Sequence, residues 1–162
     1  MAARKQSPTI TIRGAILRDA AAIGRLHVRT HRATYAPLID GPYEAPPPTD
    51  WDQVLAGEGL TFVALCGRRL VGFGHAEGAR IEPLHVDPAY HRRGTGRALL
   101  QHLLAGLRAR SIPSASFNVF AANARAIAFY EAQGARRVGT ETMTDAPQPY
   151  LDFVYRIETE RG

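Results

Sequence analysis

Two stretches of this 162-residue chain carry residue types at spacings that can do chemistry. The first, LHVDPAYHRRGTGRALL over 84–100, reads as a strand, a glycine-rich turn and a helix. That order aims unpaired backbone N–H groups and the positive end of a helix dipole at one point. Gly94 and Gly96 let a bulky anion approach the backbone, and Arg92, Arg93 and Arg97 add charge, so the turn suits a phosphate or pyrophosphate. The spacing is neither that of the kinase-type phosphate loop nor that of the dinucleotide fingerprint, which needs a third glycine. The second stretch, NVFAANARAIAFYEAQGA over 118–135, ends a strand and opens a helix at Asn123. Tyr130 follows two helical turns later on the same face. Taken singly, Asn123 reads equally as a helix N-cap and Tyr130 as a half-buried core tyrosine.

Other elements must position these segments. Thr9 to Arg13 alternates and is β-branched, which predicts a first strand. Asp19 is expected to cap a helix whose apolar stripe is Ile23, Leu26, Thr30 and Ala33, ending by Ala36 ahead of Pro37. Residues 37–48 hold five of the eleven prolines and read as a stiff loop. Thr49 and Asp52 resemble a capping box for a short helix carrying Trp51, Val54 and Leu55. Residues 61–67 and 70–78 form a hairpin signature, and a strand from Arg80 to Val86 ends at Asp87-Pro88. Leu99, Leu100, Leu103, Leu104 and Leu107 mark an amphipathic helix from Gly96 to Arg110. A strand over 115–120, a helix from Asn123 to Gln133 capped by Gly134, and strands over about 136–143 and 149–157 complete the order. A mixed sheet with helices on both faces, an α/β (α+β) fold, is the expectation.

Composition bounds the rest. At 45% hydrophobic and 22% charged residues the chain is a folded protein, read as one domain over 9–162 behind a flexible tail over 1–8. Cys66 is the single cysteine, which excludes an intrachain disulfide and a multi-cysteine zinc site and suits the cytoplasm. No apolar run reaches membrane-spanning length, and the N-terminus lacks a signal-peptide pattern. The net charge of +5 invites a polyanionic partner, but 19 arginines to one lysine, scattered, read as a genome preference. No aromatics interleave with them, so no nucleic-acid partner is expected.

Together the two segments resemble the GNAT superfamily of acyl-CoA-dependent N-acyltransferases. The family's [QR]-x-x-G-x-[GA] motif stands here as His91-Arg92-Arg93-Gly94-Thr95-Gly96, after Val86-Asp87-Pro88. Its N-x-x-A-x-x-[FL]-Y-x-x-x-G pattern stands as Asn123, Ala126, Phe129, Tyr130 and Gly134. His91 departs from the family's Gln or Arg, at a position that mainly supports the loop. The resemblance implies a mostly antiparallel six- to seven-stranded sheet flanked by about four helices. It also implies acetyl-CoA as co-substrate, in a cleft between the strands ending near Val86 and Phe120. The Leu84 N–H would polarise the acetyl carbonyl and Val86 would hold pantetheine amides. The amides of Arg92, Arg93, Gly94, Thr95, Gly96, Arg97 and Ala98 would wrap the pyrophosphate. Asn123 would contact the cofactor arm, and Tyr130 would sit beside the thioester sulfur. The implied reaction is direct acetyl transfer to a primary amine of a small molecule or peptide. The alternative is a non-catalytic acyl-CoA sensor. A homodimer is allowed, and no metal or membrane partner is expected.

Such a transfer needs the amine deprotonated. A lysine-like amine costs roughly 4.6 kcal/mol to neutralise at pH 7, an α-amine only about 1–1.4 kcal/mol. Glu82 is the candidate base, since alternation puts it on the same face as Leu84 and some family members carry a base there. His75, Glu77 and His85 are reserves, with His85 on the opposite face. His27, His31 and His102 read as helix-surface or half-buried positions. Acceptor contacts are expected from Tyr35, Trp51 and Glu82, in a surround formed by Arg29 to Trp51 (with Tyr43, Glu44 and Asp50), the adjoining Asp52, and Met143 to Tyr150.

Overall fold

The computed structural model describes residues 9–144 and 149–160; the expected tail over 1–8 lies outside them, as do residues 145–148 of the expected acceptor surround. The strands are β1 (Ile10–Gly14), β2 (Leu60–Cys66), β3 (Arg69–Glu77), β4 (Arg80–Val86), β5 (Ser114–Phe120), β6 (Arg136–Met143) and β7 (Tyr150–Glu158). The helices are α1 (Ala20–Tyr35), α2 (Trp51–Ala56), α3 (Thr95–Ala109) and α4 (Ala124–Ala132). All seven strands share one sheet in the order β1-β2-β3-β4-β5-β7-β6. Every neighbouring pair is antiparallel except β4 and β5. The expected mixed sheet with four helices is therefore present. No helix among the described residues is long and apolar enough to cross a membrane.

Helices cover both faces. On one, Ala20, Ile23 and Leu26 of α1 and Trp51 of α2 bury against Val63 and Phe73. On the other, Leu100, Leu103 and Leu107 of α3 and the apolar side of α4 pack on Ile81, Phe117 and Tyr155. The α3 helix lies close to the sheet because β3 offers glycines beneath it. A Cβ on Gly74 would come 2.8 Å from Leu103 Cδ1, and one on Gly72 would come 3.1 Å from Leu99 Cδ1.

Three local expectations need correction. Asp19 precedes α1 but does not cap it; its carboxylate accepts from Ile16 N–H (2.8 Å) and pairs with Arg13 (2.7 Å). The cap of α2 is Asp50, which accepts from Gln53 N–H at 3.1 Å, rather than Thr49. Ala33 is exposed, and the buried stripe of α1 ends at Thr30, whose hydroxyl donates to Leu26 O at 2.7 Å.

Two irregularities set up the site. The parallel strands β4 and β5 pair at one position, Arg80 opposite Ser116, with Ser116 N–H donating to Ala79 O at 2.8 Å. Beyond it they part. In addition, β4 carries a bulge: Gly74 faces Leu84, yet Ala76 faces Ile81, so β4 spends one residue more than β3.

Since the seat of α3 depends on bare backbone at Gly74, Gly74→Val should overpack the contact with Leu103. The expected loss is about 1–3 kcal/mol, read as a lower urea midpoint at unchanged slope.

Candidate functional site

The gap between β4 and β5 is lined by backbone. Asp87 N–H donates to Val71 O at 2.8 Å, which fixes the alternation along the end of β4. Asp87 and His85 turn their backbone groups toward β3, so those of Leu84 and Val86 turn toward β5. With β5 parted, these groups face the gap, where an extended amide-bearing chain can pair with them as an added strand. The Val86 carbonyl also accepts from His91 Nε2 at 2.9 Å, which identifies Nε2 as the protonated ring nitrogen. His91 thereby ties the loop to the strand end, the supporting part the resemblance implies for that position.

The loop after β4 opens onto the N-terminus of α3. Arg92 and Gly94 take left-handed backbone conformations, with φ of 62° and 76°. The first bond into the helix is Ala98 N–H to Gly94 O at 2.9 Å, so the amides before Ala98 precede the helical ladder. A Cβ at Gly94 would meet nothing within 4 Å, whereas one at Gly96 would press the Phe129 ring at 3.4 Å. Gly94 thus borders open space, and Gly96 faces the Phe129 ring of α4. The Thr95 hydroxyl, buried at the same turn, has no hydrogen-bond partner among the described residues. Left-handed backbone, leading amides and three arginines fit a pyrophosphate-bearing group.

Asn123 caps α4, its Oδ1 accepting from Ala126 N–H at 3.1 Å, so the capping reading holds for that oxygen. Tyr130 packs on Phe117 (4.3 Å between ring centroids) and Phe129 (5.0 Å). Its hydroxyl pKa is raised, by burial first and then by Tyr35 and Glu82. Tyr35 belongs to α1, on the opposite face of the sheet. The gap is where a side chain from α4 can reach the groups of that face.

The α1 face holds most of the remaining polar groups. Burial, then Asp152 and Glu82, push the Tyr35 hydroxyl up to about 12, so Tyr35 stands near both carboxylates. Glu82 requires a correction. The bulge shifts the alternation by one residue, so Glu82 shares a face with His85 and not with Leu84. Its carboxylate is felt by His27 and Tyr35, both of α1. One Glu82 oxygen accepts from two Arg80 nitrogens, at 2.8 and 3.1 Å. Arg80 also reaches Asn118 Oδ1 at 3.4 Å, and Asn118 Nδ2 donates to Glu141 (2.8 Å) and Asp152 (3.3 Å). The sequence reading passed over Arg80, Asn118, Glu141 and Asp152. The available signals were the alternation of SASFNVF, which turns Asn118 from the core, and an aspartate inside the apolar run YLDFVY.

The other expected acceptor groups divide. Trp51 is 4% exposed and packs edge-on against Phe73 and His27, so it is a core residue of the α1 face. Asp50 is spent as the α2 cap. His75 bonds Thr61 (2.8 Å) and Glu77 (3.3 Å), which ties both reserve groups to each other and to β2. His85 packs on His27 at 5.3 Å, and burial with its histidine neighbours lowers it to about 3. Burial and His27 lower His31 to about 4, with Nδ1 2.6 Å from the Tyr43 hydroxyl. These rings are neutral at pH 7. A groove of about 450 Å³ runs between the outer flank of α1 and prolines 46–48, reaching His27 and His31 at its inner side. No three His, Cys, Asp or Glu side chains converge as a metal site among the described residues.

Comparison with known proteins agrees with this geometry. The [Ribosomal protein bS18]-alanine N-acetyltransferase of Escherichia coli K12 is 51% identical over 49 residues, 30% of this chain and 33% of that enzyme. The chain thus matches about a third of that relative's length. A mycothiol acetyltransferase of Acidothermus cellulolyticus is 40% identical over 72 residues, 44% of this chain and 22% of that protein. Among solved structures, the Escherichia coli ribosomal-protein-S18-alanine N-acetyltransferase superposes with a TM-score of 0.71 at 24% identity, covering 95% of this chain and 96% of that one. The PaiA N-acetyltransferase of Thermoplasma acidophilum, solved in complex with coenzyme A, gives 0.72 at 17% identity, covering 93% and 99%. At these identities the structures establish the fold. The acetyltransferase (GNAT) family profile matches residues 23–135, more than half of the chain, and the chain belongs to that family.

Proposed function

We propose that this protein transfers the acetyl group of acetyl-CoA to a cationic primary amine, by direct attack in the gap between β4 and β5, in the cytoplasm. The observation that carries this reading is the parting of these strands after Arg80 and Ser116, with Leu84 and Val86 backbone groups turned into the gap and Tyr130 entering from α4. Bound there, acetyl-CoA supplies the activated acetyl group. The loop amides from Arg92 to Ala98 and the arginines hold its pyrophosphate, and Val86 and Asn123 hold its arm. The Leu84 N–H donates to the carbonyl oxygen as charge develops on it. Tyr130 donates to the departing sulfur. A carboxylate of the α1 face takes the amine's proton; Glu82, Glu141 and Asp152 are the ones at hand.

The relatives named for bS18 alanine make a peptide with N-terminal alanine the first acceptor to try, beside polyamines, amino acids and aminoglycosides. Turnover of acetyl-CoA with any of them supports transfer. A sensor domain would bind acetyl-CoA and turn over nothing.

Two outcomes test the assigned parts. Saturating acetyl-CoA should raise Tm, because a ligand of the native state stabilises it. The double variant Gly94→Asp with Gly96→Asp should lose that rise; an unchanged rise would move the phosphate site elsewhere. Tyr130→Phe keeps the ring packing, so Tm should hardly move, while kcat falls about ten- to a thousandfold at near wild-type acetyl-CoA affinity. Full kcat in that variant would return Tyr130 to the core.

A further inference from the structure

We infer that Asp152 is the group that takes the proton from the acceptor's ammonium, with Asn118 holding its carboxylate in place and Glu82 left to its ion pair with Arg80. This rests on the acetyl-transfer reading above and names a residue of the same site. Three carboxylates rim the α1 side of the gap: Glu82, Glu141 and Asp152. Their surroundings differ. The Glu82 side chain is 63% exposed, and one of its oxygens is already engaged by two bonds from the Arg80 guanidinium. Glu141 is exposed and takes the shorter bond from Asn118 Nδ2, at 2.8 Å. Asp152 is 8% exposed and accepts a longer bond, 3.3 Å, from the same nitrogen.

Position favours Asp152 as well. It lies opposite Phe120, the last residue of β5, at the far end of the gap. Phe120 packs near Tyr35, at 6.3 Å between ring centroids, and the Tyr35 hydroxyl feels Asp152 more than it feels Glu82. Tyr130 feels Tyr35 in turn. The groups facing Asp152 are Arg80 and Glu82 from β4, Asn118 from β5, Glu141 from β6 and Tyr35 from α1. Burial raises its pKa, Asn118 opposes this, Glu82 and Glu141 add to it, and Arg80 opposes it; the net direction is upward. A carboxylate raised in this way takes a proton more readily.

The proton count closes. An ammonium nitrogen must shed two protons to become the amide. One passes to Asp152, directly or through one water, and then to solvent. The nitrogen lone pair forms the C–N bond, the C–S bond breaks with its electron pair on sulfur, and the second proton ends on that sulfur.

Stability separates this role from a structural one. A carboxylate whose folded pKa is raised costs stability above its ordinary pKa, and the cost vanishes as pH falls below it. Asp152→Asn removes the cost, so Tm at pH 7 should equal or exceed that of wild type.

The experiment measures kcat/KM from pH 5.5 to 9 with spermidine and with an alanine-initiated peptide, for wild type, Asp152→Asn, Asp152→Glu and Glu82→Gln. Tm is recorded with and without acetyl-CoA. Asp152→Asn should cut kcat/KM for spermidine about a hundredfold or more at pH 7 and erase the acidic limb of the base, while Tm and its rise with acetyl-CoA persist. The loss should be smaller for the peptide, whose α-amine is partly free at neutral pH. Asp152→Glu, which restores a carboxylate, should recover part of the rate. Wild-type kcat/KM and an unchanged acidic limb in Asp152→Asn would overturn the assignment, as would loss of both in Glu82→Gln instead. If wild type turned over neither these two nor the amino acids and aminoglycosides named above, while acetyl-CoA still raised Tm, the transfer reading would fall and this assignment with it.

Discussion

The divergence of β4 from β5 is the constraint on which the other features depend. Two strands in the middle of a sheet bond at Arg80 and Ser116 and then separate, leaving the inward backbone of Leu84 and Val86 without the neighbour a continuous sheet would provide. Buried backbone groups without partners are costly, so such an opening persists only where the rest of the fold holds it and water or a ligand pairs with it. Here α3 grips β3 and β4 from one side through Leu99 and Leu103. On the other side, Arg29 of α1 pairs with Asp87 at 2.7 Å and fixes the turn that follows β4. The parallel direction of the pair also matters. Both strands run the same way out of their last contact, so the gap widens toward the α3 N-terminus and the loop amides stand at its mouth.

Charge is sorted along that gap. The chain is basic overall, yet its acidic groups gather where Glu82, Glu141 and Asp152 meet Arg80 as the nearest cation. Arg92, Arg93 and Arg97 belong to the loop and first helical turn that follow β4. An anionic ligand is drawn to the loop arginines and a cationic acceptor to the carboxylates, so the two substrates of the proposed acetyl transfer would be attracted by different groups. The basic total thus carries less information than the distribution, and the reading of scattered arginines as a genome preference is compatible with both.

Local signals in the sequence located the elements well. Strand β4 was legible from Arg80 to Val86, and the leucine period drew α3 to within a residue. The paired glycine and Asn-to-Tyr motifs placed the loop and α4. What failed were inferences that needed a register. Glu82 was assigned to the face of Leu84 by strict alternation, and a bulge reversed it. The sign was Pro83, since a proline inside a strand marks an edge or a bulge. Asp19, Thr49 and Trp51 failed for a related reason: each had two physically sensible uses, and tertiary partners decided between them. The rim of Asn118, Glu141 and Asp152 was out of reach, because it is assembled from three strands whose order in the sheet, β5-β7-β6, is not their order in the chain.

The same arrangement limits what Tyr130 can do. A free thiol has a pKa near 8.5 and a free tyrosine one near 10, so giving a proton to the thiolate is already uphill by roughly 2 kcal/mol. Burial and the nearby Glu82 and Tyr35 raise the tyrosine further, which widens the difference. In the proposed transfer, a hydroxyl in that position would keep its proton and donate a hydrogen bond to the sulfur as negative charge gathers there. It need not be reprotonated between turnovers. Burial, Tyr35 and Glu82 all oppose its ionised form, so the surroundings hold the tyrosine neutral. In the proposed transfer the proton arriving on sulfur would then come from the reacting nitrogen or from solvent, with the tyrosine stabilising the departing charge without being consumed by it.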